Sequence, residues 1–173
     1  MRHHAFGDGH HVIRLDPGED VLGSLRKVVE EQRIEAGIVS GLGSVDAITL
    51  GYLDPATHEY LKRHFEERME VATLSGSIST DGERPHLHLH MVVSPREFIA
   101  YGGHVHDARV GATLEVYITA FRGALRRVLV EGQPFPRLLL PGEELPPAPP
   151  ASPPPVAPPT PPAGRARREG RGR

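Results

Sequence analysis

Eleven histidines are spread along the chain, and five of them fall in two patterned stretches whose residue types and spacing could do chemistry. In Pro85-His86-Leu87-His88-Leu89-His90, histidine alternates with an apolar residue, and Gly102-Gly103-His104-Val105-His106 repeats the pattern. Successive side chains of a strand point to opposite faces, so the spacing predicts two strands, each with its imidazoles on one face. Neutral imidazole is the commonest protein metal ligand. The chain has no cysteine, so any metal would be held by nitrogen and oxygen donors alone. On a strand rising ~3.3 Å per residue, His86 and His90 lie about 13 Å apart, too far to share one ion through bonds of ~2.0–2.1 Å. Neighbours on the face can share it: His86 with His88, or His88 with His90. A turn centred near Arg96 would lay the second stretch antiparallel to the first. His88 would then face His104, and His86 would face His106, at the ~4.5–5.5 Å Cβ separation of an opposed pair. Gly102 and Gly103 lack Cβ atoms and would let another backbone or a ligand approach closely.

Several elements must position these strands. His10 to Leu15 reads as a first strand, closed by the turn signal Asp16-Pro17-Gly18. Glu19 to Arg33 carries Val21, Leu22, Leu25, Val28 and Val29 at helical spacing and predicts the one main helix. Further strands are expected over 36–40, 45–52, 58–69, 70–79, 86–93, 98–106, 113–120 and 125–131, some of them short or continuous with a neighbour. Gly41-Leu42-Gly43 follows a strand but lacks the third glycine and the amphipathic helix of a phosphate loop, so a bulge or a close backbone contact is expected there. His3, His4, His10, His11, His58 and His64 have no spacing that fixes them to a common face and are expected at the surface. About seven strands with one good helix make an α+β domain with a mostly antiparallel sheet, not a βαβ repeat.

Residues 1–140 are expected to form this single globular domain, and 141–173 a disordered proline-rich linker with an arginine-rich tail. Runs such as Pro146-Pro147-Ala148-Pro149-Pro150 supply no ladder donors and favour extended polyproline II. Net charge is −2, yet Arg165, Arg167, Arg168, Arg171 and Arg173 outnumber the three glutamates beyond residue 140. The globular part is therefore acidic, which argues against non-specific gripping of nucleic acid phosphates by its surface. The arginine tail is the candidate contact to DNA or another acidic partner. No apolar run approaches the roughly 20 residues of a membrane span, and the first residues lack the apolar stretch of a signal peptide. A cytoplasmic protein that does not engage membranes is expected.

Six short motifs occur in a recognisable order: Leu15-Asp16-Pro17-Gly18-Glu19-Asp20, Val39-Ser40-Gly41-Leu42-Gly43-Ser44, Glu70-Val71-Ala72-Thr73-Leu74-Ser75-Gly76, Pro85-His86-Leu87-His88, Gly102-Gly103-His104 and Gly111-Ala112-Thr113-Leu114-Glu115-Val116. In these the chain resembles the PPC (plants and prokaryotes conserved) domain over about residues 12–131. The resemblance implies a homotrimer with metal-binding histidines near subunit boundaries. The histidines that match are His86, His88 and His104, whereas His90 and His106 occupy positions not reserved for histidine. A divalent ion of zinc type on three histidines would keep an open position, serving either structure or Lewis-acid chemistry. Plant relatives join the domain to AT-hooks, which is why it is labelled DNA-binding. Here Arg171-Gly172-Arg173 supplies only the central tripeptide of a hook. Three functions follow as expectations: a metal-binding trimer with a DNA-associated or regulatory role, a metal-dependent enzyme with Glu70 as candidate base, or a structural trimer.

Overall fold

The computed structural model describes residues 1–130, 135–140 and 142–144. The proline-rich segment from residue 145 and all five tail arginines lie outside the described residues.

The helix α1 spans Val21–Glu31 and buries Val21, Leu25, Val28 and Val29, the positions whose spacing defines one helical face. It is shorter than the expected 19–33 because Asp20 is its N-cap, accepting a 3.0 Å hydrogen bond from the Gly23 amide. At the other end Arg33 turns left-handed at φ 53° and the chain leaves the helix.

Among the described residues nine strands form one sheet: β1 (Arg2–Gly7), β2 (His10–Leu15), β3 (Gly37–Leu53), β4 (Tyr60–Phe65), β5 (Met69–Thr80), β6 (Pro85–Ser94), β7 (Tyr101–Ala120), β8 (Arg126–Val128) and β9 (Arg137–Leu139). This exceeds the expected seven or so, chiefly because β1 and β9 carry no clear alternation. Among these strands all pairings of the described residues are antiparallel apart from a single parallel bridge between β5 and β8, at Thr80 and Arg126. β3 pairs with β5, β5 with β6, β6 with β7, and β7 returns to β3, so four strands close a ring of hydrogen bonding. Leu74, Ile78, Leu89, Met91, Leu114, Val116 and Ile118 fill the core with the apolar face of α1.

Two long strands each absorb a pair of expected short ones. In β3 the break is Gly43, at φ 146°, where the register against β5 shifts and a side chain would collide with the Thr113 carbonyl. The bulge expected from Gly41-Leu42-Gly43 is therefore present. In β7 the alternation is interrupted between Val105 and Ala108, both buried, while bulges against β3 keep the ladder running. That interruption in the sequence looks like a strand end and is a change of face.

The β6–β7 register also differs from the expected one. His104 pairs with His90, not His88, and Tyr101 pairs with Val93. The turn is centred further along, because β7 starts at Tyr101 and Phe98 sits in the connection at φ 58°. A shift of two residues preserves the face, so His86, His88, His90 and His104 still share one side of the sheet.

Candidate metal centre

The leucine–histidine alternation sorts β6 as its pattern dictates. Leu89 and Met91 are 1 % exposed, whereas His86, His88 and His90 turn away from the core. The same face of β5 carries Ser75, Ser77 and Ser79, which pair with His90, His88 and His86 in turn. β7 brings His104 alongside, and the rings of His88, His90 and His104 stand 5.1–5.5 Å apart between centroids.

Each of these three histidines offers a ring nitrogen within 4.8 Å of the others. Nitrogens sharing a tetrahedral ion at ~2.1 Å are about 3.4 Å apart, a difference that small ring rotations close. His86 stands two residues before His88 on the same face, outside this close group but lining the same cavity. His106 lies against His104 at 5.1 Å and packs edge-on to Tyr60 at 4.9 Å. The other histidines gather elsewhere. His3 stacks on His11 at the β1–β2 hairpin, and His64 bonds Thr49 and Glu66. Of the histidines expected at the surface, His11 is buried, at 8 % exposure.

The environment favours neutral, ligating imidazole. Burial first, and then the neighbouring His88, His106, His90 and His86, hold the His104 pKa down from 6.5 to about 4. Burial followed by the Arg127 charge lowers both His86 and His88. The Nδ1 of His104 is buried without a hydrogen-bond partner among the described residues, which a bound cation or ligand would remedy. These residues therefore fit a divalent ion on three nitrogens.

Beside the cluster lies a cavity of about 570 Å³, lined by Leu53, Tyr60, Phe135 and Pro136 as well as His86, His88, His90 and His104. It opens because β6 and β7 part company after the His90–His104 pair: residues 85–89 pair with β5 alone, while β7 continues along β3. Gly51 is buried under His106 and Tyr60, where a Cβ would strike both rings. Arg127, on β8, contributes the one charged side chain of the lining among the described residues. Sequence reasoning missed it as a site residue. Its signal is an arginine sharing a strand face with Leu125 and Leu129. No Asp or Glu lines the cavity among the described residues. Glu70, the candidate base, pairs with Ser94 seven residues along β5 from Ser77, about 20 Å from the cluster at ~3.3 Å per residue.

The bifunctional protein GlmU of Synechococcus sp. (strain JA-3-3Ab) is 37 % identical over 94 residues, 54 % of this chain and 14 % of the relative. The chain thus spans about one seventh of the length of that curated relative. A metal-containing protein from Archaeoglobus fulgidus superposes with TM-score 0.70 at 30 % identity, covering 76 % of this chain and 93 % of that one. A protein from Bacteroides thetaiotaomicron named as a candidate DNA-binding protein superposes with TM-score 0.71 at 25 % identity, covering 73 % and 88 %. Residues 3–122 match the Plants and Prokaryotes Conserved (PCC) domain, the family whose motifs run from Leu15 to Val116. The chain belongs to the plants and prokaryotes conserved domain family.

Proposed function

We propose that this chain is a metal-binding module that captures a small ligand at a zinc-type divalent ion held by His88, His90 and His104. The observation that carries the reading is the mutual approach of their three ring nitrogens within 4.8 Å, from two different strands. The set His86, His88 and His104 shares two members with it and is the alternative if β6 adjusts on binding. Ligand capture is favoured over hydrolysis because the cavity lining offers no carboxylate, among the described residues, to activate water. The name of the Archaeoglobus relative as metal-containing supports the same reading.

The module is proposed to act as a cytoplasmic homotrimer. Ile38 and Leu42 on β3 and Tyr117 on β7 are 51 %, 53 % and 41 % exposed on one face of the sheet. Ser40 of that face pairs with Ser75, which pairs with His90, so the apolar stripe is continuous with the histidine side. A subunit boundary there would protect the stripe and adjoin the metal centre. Residues 1–140 would be the folded unit and 141–173 an extended arm, with Arg165, Arg167, Arg168, Arg171 and Arg173 contacting DNA phosphates in a regulatory role.

Metal analysis of the native protein beside His86→Ala, His88→Ala, His90→Ala and His104→Ala tests the centre. Loss of stoichiometric metal is expected for the last three and retention for His86→Ala. Equal metal content in all five preparations would refute the site. A gel-shift series comparing the full chain with residues 1–140 tests the arm, and equal, negligible binding by both sinks the DNA role.

A further inference from the structure

Arg127 holds its guanidinium between three neutral partners. Its Nε donates to Ser79 Oγ at 2.9 Å, its Nη1 to the Pro136 carbonyl at 3.2 Å, and its Nη2 to His88 Nδ1 at 3.3 Å. Among the described residues no carboxylate oxygen comes within 4.0 Å of it. Among the described residues it is a half-buried cation without a counter-charge, on the wall of a cavity whose other surfaces include Leu53, Tyr60 and Phe135. Three of its five N–H groups are used. One remains on each terminal nitrogen, free to donate to an oxyanion.

The contact with His88 has a chemical consequence. A guanidinium only donates, so His88 Nδ1 must accept through its lone pair. A neutral imidazole has one such lone pair, and with it taken the other nitrogen carries the proton. Coordination by His88 and the Arg127–His88 hydrogen bond therefore exclude each other. An ion on His88 would free a second N–H on Nη2.

We propose that Arg127 and the histidine cluster together form a subsite for a small organic carboxylate with an apolar body, and that cation and carboxylate bind cooperatively. The cooperativity rests on the metal reading given above. The anion takes over the N–H that coordination releases, and the cation supplies a second positive partner to the same oxyanion. The aromatic and aliphatic walls favour an organic acid over a bare inorganic anion. Coupling of this kind is reciprocal: each ligand tightens the other by the same factor.

The full chain is titrated calorimetrically with zinc alone, with benzoate alone, and with each in the presence of the other. Zinc is expected to tighten benzoate binding about tenfold or more, the scale of one charge-assisted hydrogen bond of ~1.5 kcal/mol, and benzoate to tighten zinc equally. Benzamide, neutral and of the same shape, should bind the zinc-loaded protein about tenfold more weakly than benzoate. Arg127→Met should lose that preference while still taking up zinc, and Arg127→Lys should fall between. Circular dichroism monitors the fold of both variants, and the benzoate–benzamide contrast needs only the native protein. No zinc uptake by the native chain overturns the metal reading and the cooperativity with it. Zinc uptake with no preference for benzoate, or with a preference that Arg127→Met retains, overturns the carboxylate subsite alone.

Discussion

Acidification should destabilise the metal-free protein well above the pH at which its carboxylates titrate. The folded chain holds His104 at a pKa of about 4 against the ordinary 6.5, so the unfolded chain binds more protons between those values. Stability therefore rises with pH across that window and is lost as pH falls through it. If the whole shift is expressed, His104 alone withdraws about 2 kcal/mol between pH 7 and pH 5. Solvent reaching the half-buried ring reduces this to about 1 kcal/mol. His11, His86, His88 and His106 are lowered by burial in the same direction and add to the slope. Asp16, Glu19, Glu66 and Asp81 are held below the usual carboxylate range by hydrogen bonds, so their contributions disappear only at lower pH. Urea melts in chelator at pH 7, 6 and 5 measure the slope, and His104→Leu should flatten it by about 1 kcal/mol. A native stability that is level from pH 7 to 5, or an equal slope in His104→Leu, would refute the argument.

Three further outcomes follow from packing. Leu89→Ala, on the core side of the histidine strand at 1 % exposure, should cost about 2–5 kcal/mol in urea melts. Gly43→Ala places a side chain at φ 146° against the Thr113 carbonyl and should cost about 1–3 kcal/mol or more, seen as a lowered melting midpoint. Asp20→Ala removes the cap on the Gly23 amide and should cost about 1 kcal/mol by the same melt, leaving zinc binding unchanged.

Much of the fold was legible because local patterns carried it. The α1 face, the leucine–histidine alternation of β6 and the Gly43 bulge follow from periodicity and backbone freedom, which act within a few residues. The β6–β7 register was not legible, since Ser94-Pro95-Arg96-Glu97 signals a turn without fixing its centre, and nothing marks Phe98 as its left-handed residue. That register decides which histidine faces His104. His90 is therefore drawn into the close group by pairing geometry, although its motif position does not reserve it. Arg127 was hidden for a related reason: the alternation over 125–131 announces its strand but not the strand it meets, and its proximity to His88 spans 39 residues.

The hairpin that carries Arg127 meets the central strands through little backbone: one bridge from β8 to β5, at Thr80 and Arg126. The histidines, by contrast, are built into strands whose opposite sides form the core. Replacing 126–139 would redraw the chemical preference of the cavity while leaving its histidine floor intact. Within one scaffold, selectivity can drift at the periphery while the centre stays under the constraint of folding. This division makes the hairpin the natural segment to exchange between relatives when their ligands are compared.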